Sequence, residues 1–242
     1  MPHGHPDWGA AEAVKIVHHV SDMGELGVRL GAISTRHRGG TVVWDDDFRC
    51  GLAGWATTTE DVGDAVNLTT RYTWRGGYAA ELVGGGEAAG DTRITRYIGT
   101  LLSGKLGLEA AFALSGKSES LIFQMGYIED DILHFAWARY RHDADTFDVY
   151  DRFTGWQELA SGLGLYCGEG CYHTVKLVVD TATGMYVSLW LDNNSYDVSA
   201  YTAGVMGLAR GDATMVMVQH VAVANFVAFA LIDAVIVTQN EP

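Results

Sequence analysis

The sequence predicts an all-β sandwich preceded by an N-terminal arm that contains one short helix. Three observations carry this. Apolar residues recur at period two in segment after segment beyond residue 40. The chain holds 30 glycines against 3 prolines, which suits many tight turns. No long stretch of helical periodicity competes with the strand pattern.

Taken in order, residues 1–40 form the arm. Ser21-Asp22-Met23-Gly24-Glu25 offers a helix start, and Met23, Leu26, Leu30 and Ile33 then share a helical face. Residues 41–242 form the sandwich. Thr41-Val42-Val43-Trp44 opens it, and Arg93–Ile98 alternates. Leu106, Leu108, Ala110, Phe112 and Leu114 give an apolar row at period two. Leu133, Phe135 and Trp137 share a face, and Thr146–Arg152 follows as a strand. The clearest hairpin pairs Val175, Leu177 and Val179 with Met185, Val187, Leu189 and Leu191 across Asp180–Gly184. Met215–Ala224 and Phe226–Thr238 supply the last strands. The final one is apolar on both faces and should be central. About ten or more strands with glycine-rich turns make a large single-core sandwich.

Acidic residues outnumber basic ones 30 to 16, a net charge of −14. That argues against nucleic acid and against an anionic membrane surface as partners. Gln219, His220, Asn225 and Asp233 interrupt the most apolar stretch, which reads as two buried strands rather than a membrane helix. Residues 1–20 have no basic n-region and no apolar h-region, so no Sec-type signal peptide is expected. Cys167 and Cys171 flank Gly-Glu-Gly, where a small disulfide loop and two free thiols are both open readings. With His173 they supply three zinc ligands where four are needed.

Three segments resemble the concanavalin A-like lectin/glucanase superfamily and its related jelly-roll carbohydrate-binding modules. They are Asp46-Asp47-Phe48 with Gly51–Trp55, the hairpin from His173 to Leu191, and Ile232-Asp233-Ala234-Val235-Ile236-Val237-Thr238. The resemblance implies a jelly-roll sandwich over residues 44–238 and a structural calcium on Asp46, Asp47 and Asp233. Ala234 stands where the pattern often has a second Asp. The Glu-x-Asp-x-x-Glu strand of laminarinase-type relatives is missing, and no carboxylate pair stands out for glycoside hydrolysis. The alternative to a calcium site is a solvated acidic turn with Asp233 bonded to a backbone amide.

Aromatic side chains are the candidates for sugar contact. Tyr72, Trp74, Arg75 and Tyr78 form a loop-like cluster, and Trp156 joins them as a ligand-binding candidate. Trp55 and Trp137 are expected in the core. In the arm, His5-Pro6-Asp7-Trp8 and Ser21–Leu26 resemble uncharacterised phage proteins, some of them virion components. This implies a non-enzymatic structural protein at a virion or extracellular surface. It would be a capsid decoration or tail protein that docks on itself or on capsid proteins through His5, Trp8, Met23, Leu26 and Leu30. A carbohydrate-binding lectin-like module is the alternative and a glycoside hydrolase the third reading. Deleting residues 1–40 should leave the sandwich folded and abolish assembly. Light scattering checks this, and normal assembly of the deleted chain contradicts it.

Overall fold

The computed structural model describes residues 39–74, 77–85, 90–99, 102–168, 170–208 and 210–242. These form sixteen strands and no helix. The arm helix and the contacts expected of His5, Trp8, Met23, Leu26 and Leu30 lie outside the described residues, as does Arg75.

The strands make two antiparallel sheets of eight. The first runs in the order β13 (Asn194–Tyr196), β12 (Met185–Leu191), β11 (His173–Asp180), β6 (Lys105–Leu114), β16 (Ala228–Gln239), β4 (Ala79–Gly84) and β3 (Ala65–Thr69). A further strand, β1 (Thr41–Asp46), also pairs with β16. The second sheet runs β10 (Gly155–Ser161), β9 (Thr146–Asp151), β8 (Ile132–Arg141), β7 (Ser118–Glu129), β15 (Ala213–Ala222), β5 (Asp91–Ile98) and β2 (Trp55–Thr59). Here β14 (Gly204–Gly207) pairs with β8.

The predicted hairpin is β11–β12, with Leu177 opposite Leu189 and Gly184 at φ 69° closing the turn. Asp130 and Asp131 connect β7 to β8 with φ of 52° and 60°. That is the geometry of a two-residue turn matching strand twist. The final strand, β16, is central as expected, between β6 and β4.

The main core lies between the sheets. Leu82, Leu108, Phe112 and Ile232 of the first sheet meet Ile94, Phe123, Val216 and Tyr140 of the second in one buried cluster. Phe112 and Phe123 touch at 5.1 Å between ring centroids. Trp55 is in this core, as expected. Within the first sheet, the Lys176 ammonium lies 3.0 Å from Glu109 and 2.8 Å from Glu241, all three buried. The ammonium placed between two carboxylates offsets part of the cost of burying these charges.

The second sheet has a seam. The β8 edge pairs with β14 up to Phe135 and with β9 from Ala138 onward. Between these two partners, Tyr186 reaches across from β12 of the opposite sheet. Its hydroxyl accepts the Trp137 N–H at 2.9 Å and donates to the Tyr150 carbonyl at 2.6 Å. Two backbone groups left over by the change of partner are thereby paired.

His220 on β15 is fully buried, with Nε2 3.0 Å from the Ser118 hydroxyl. Burial pushes its imidazole down to about 4. The unfolded chain therefore takes up this proton first as pH falls. Stability from this group is full above about pH 6.5 and is lost as pH falls toward 4, by about 3 kcal/mol. Urea unfolding from pH 7 to 4 should show a slope that His220→Gln reduces. An unchanged slope in the variant contradicts the assignment.

Candidate functional site

Alternation sends every second side chain of the second sheet away from the core. In β8, Ala136, Ala138 and Tyr140 face inward. Leu133, Phe135, Trp137 and Arg139 therefore face outward. The registers line up the outward residues of neighbouring strands. Trp156 sits opposite Tyr150, Trp137 opposite Gln124, Gln124 opposite Met217, Met217 opposite Thr95, and Thr95 opposite Ala56. The Tyr150 and Trp137 rings close the remaining step at 5.3 Å. Six inter-strand gaps of about 4.8 Å make this row roughly 29 Å long.

One end of the row is aromatic. Trp137 and Trp156 stack at 5.9 Å and 22°, and Tyr150 meets Trp156 edge-on at 5.5 Å. Phe135 adds a ring 4.6 Å from Trp137. The Arg139 guanidinium lies 4.1 Å over the Trp156 ring. Asp148 holds that guanidinium through two hydrogen bonds, 3.0 Å from Nε and 2.6 Å from Nη2. An aromatic face with a cation above it and a neighbour at its side is held rigid.

The other part of the row is a groove of about 350 Å³. Tyr97, Leu133, Trp137, Met206, Leu208, Met215 and Met217 line it, with Thr58, Thr95, Arg93, Gln124 and Gln219. Leu133, Phe135, Met215, Met217 and Ile128 form a second hydrophobic cluster, separate from the main core. Two glycines let these side chains settle onto bare backbone. A Cβ on Gly126 would stand 3.0 Å from both Leu133 and Met215, and one on Gly204 would stand 2.2 Å from the Phe135 ring. The groove's amide, indole and guanidinium groups are engaged with the protein itself. Trp137 Nε1 donates to Gln124 Oε1 at 2.6 Å, and Gln124 Nε2 contacts Met215 Sδ at 3.7 Å. Gln219 donates to Asp91 at 2.6 Å, and Arg93 pairs with Glu60 at 3.7 Å. Burial, reinforced by repulsion from Glu60, raises the Asp91 carboxyl above its ordinary range.

The expected site residues fall into two groups on different sheets. Trp156 belongs to the row on the second sheet. Tyr72, Trp74 and Tyr78 belong to the β3–β4 connection of the first, each partly exposed. There Trp74 stacks on Tyr172 at 6.0 Å, and its N–H donates to Asp233 at 2.7 Å. The aromatic candidates therefore do not make one site. Trp137, expected in the core, is half-buried on the outer face instead. Both faces of β8 are apolar, so its alternation does not reveal which one meets the core.

The calcium expectation does not fit the carboxylates present. Asp46 accepts from the Phe48 N–H at 2.7 Å and from Trp55 Nε1 at 2.9 Å. Asp47 pairs with Arg49 at 2.9 Å, while Asp233 anchors Trp74. Among the described residues, no group of three or more His, Cys, Asp or Glu side chains converges to hold a metal. His173 bonds Asp192 at 2.7 Å rather than a metal site with the cysteines. Cys167 and Cys171 are free thiols, and Cys167 Sγ is 3.3 Å from His142 Nδ1.

No protein-family model and no curated protein sequence matches the chain. Solved structures do match. A carbohydrate esterase of the Shiga toxin-encoding bacteriophage phi24B aligns with a TM-score of 0.52 at 13% identity, covering 84% of this chain and 100% of its own. A family 16 endo-glucanase from Bacteroides ovatus aligns with a TM-score of 0.50 at 12% identity, covering 81% and 100%. The carbohydrate recognition domain of Emp46p reaches 0.47 at 14% identity, covering 80% and 92%. The likeness is one of fold, the concanavalin A-like jelly-roll sandwich. Gly204→Ala should drive the added methyl into Phe135 and cost about 1–3 kcal/mol. Urea unfolding measures it, and wild-type stability of the variant contradicts the packing described.

Proposed function

We propose that this chain is a glycan-binding, lectin-like module whose saccharide stacks on the aromatic end of the outer row. One observation carries the reading: Trp156, Tyr150 and Trp137 form a contiguous aromatic surface outside the core. The C–H face of a pyranose is apolar and packs on such rings, while its hydroxyls point to solvent or to rim groups. Because Trp137 Nε1 is already bonded to Gln124, that indole offers its ring rather than its N–H.

Binding is better supported than hydrolysis. A glycosidase needs two carboxyl groups flanking the scissile bond. The row residues of β8, β7 and β15 are Trp137, Gln124 and Met217, none of them acidic. Asp148, beside the aromatic end, is held by Arg139. The docking role read for residues 1–40 is a separate proposal and draws no support from this site.

A glycan array probed with the full chain tests the reading. Trp156→Ala should weaken the retained glycans about tenfold, the loss of roughly one stacking contact. Circular dichroism checks that the variant folds. Glycan binding untouched by Trp156→Ala, or no glycan retained by the wild type, overturns the proposal.

A further inference from the structure

The arginines that project from the outer face of the second sheet are matched by carboxylates. Arg93 pairs with Glu60, Arg139 with Asp148 and Arg141 with Asp143. Arg210, in the connection from β14 to β15, is not. It is exposed, and among the described residues no carboxylate lies within ion-pair reach of it. Its guanidinium carbon instead stands 3.4 Å from the centre of the Tyr97 ring. The connection that carries it is tied down on both sides. The Leu208 N–H donates to the Asp131 carbonyl at 2.8 Å, and the Asp212 carboxylate accepts the Asp130 N–H at 3.2 Å. An unmatched cation is thus held in place over an aromatic ring.

That ring is also a wall of the groove. Thr58, Thr95 and Tyr97 line the groove from β2 and β5, and the described residues supply no hydrogen-bond partner for their hydroxyls. An anionic group seated beside Tyr97 meets the guanidinium and free O–H donors together. Hydrogen bonds from a guanidinium to an anion are about twice as strong as neutral ones. With 30 acidic residues against 16 basic ones, the chain has no general attraction for anions. A preference for one must come from a local group such as this. Distance adds a second demand. Tyr97 on β5 and Trp137 on β8 are three strand spacings apart, about 14 Å, so one sugar ring does not touch both. Resting on the glycan-binding reading, we infer that the ligand is an acidic oligosaccharide. It stacks on the aromatic end, and its anionic substituent, a carboxylate or a sulfate, pairs with Arg210.

A glycan array carrying uronate, sulfated and neutral oligosaccharides, probed with the full chain, tests the inference. The retained glycans should be acidic, and the uronate and sulfated members tell which anion is taken. Calorimetry then compares the tightest uronate binder with its methyl ester, or the tightest sulfated binder with its desulfated form. The charged form should bind about tenfold more tightly. Arg210 is exposed, so Arg210→Gln should fold normally, which circular dichroism checks. It should weaken the charged form about tenfold and leave the neutral form unchanged, while Trp156→Ala weakens both alike. Retention of neutral glycans alone, or equal binding of the charged and neutral forms, overturns the inference. So does an acidic preference untouched by Arg210→Gln, or a loss in that variant shared equally by the two forms. In each of these cases, binding that Trp156→Ala weakens leaves the glycan reading intact. No glycan retained overturns both.

Discussion

The Tyr186 hydroxyl is the contact on which the geometry of the outer face depends. β8 must serve two partners along one edge, β14 and then β9, and among the described residues no strand fills the step between them. A buried amide and a buried carbonyl facing each other across such a step would be costly. One phenol from the other sheet satisfies both, accepting from Trp137 and donating to Tyr150. Burial raises the Tyr186 hydroxyl far above its ordinary value, so it stays a donor throughout the physiological range. The backbone atoms it holds are those from which the Trp137 and Tyr150 rings project outward. Packing between the sheets and ring geometry outside them are thus fixed by the same atom.

The outer face also shows how a sandwich can carry apolar surface away from its core. Most exposed sheet faces alternate polar-out against apolar-in. Here Leu133, Phe135, Met215 and Met217 cluster on the outside, almost as buried as core residues. They shield one another because Gly126 and Gly204 let larger neighbours settle over bare backbone. Near the aromatic end Arg139 pairs with Asp148, and the exposed Glu158 stands opposite Asp148 in register.

Much of the fold was legible in the sequence because period two survives wherever a strand has one wet face or a clear turn. The β11–β12 hairpin shows this, with five residues of turn chemistry between two alternating runs. The twelve-residue strand β7 was not legible. Its SESLIFQMGYIE is apolar on both faces and holds a glycine, so it carries no periodic signal. The site was harder still. Trp156 stood out as a lone candidate, but Tyr150, Gln124, Met217, Thr95 and Ala56 come from separate strands, and only register brings them into line. Asp46, Asp47 and Asp233 are expected to hold calcium because the resemblance to jelly-roll modules implies it. What decides their role is the donors Phe48, Trp55 and Trp74, which composition does not reveal.

The stacked pair Trp137 and Trp156 has an optical consequence. Two indoles 5.9 Å apart and nearly parallel couple their excited states, so light absorbed by one is shared with the other. Such coupling varies steeply with distance and angle. The molecule therefore carries its own spectroscopic ruler across β8 and β10. Any event that tilts either ring, whether at the sheet seam or in the groove, can be seen without a label.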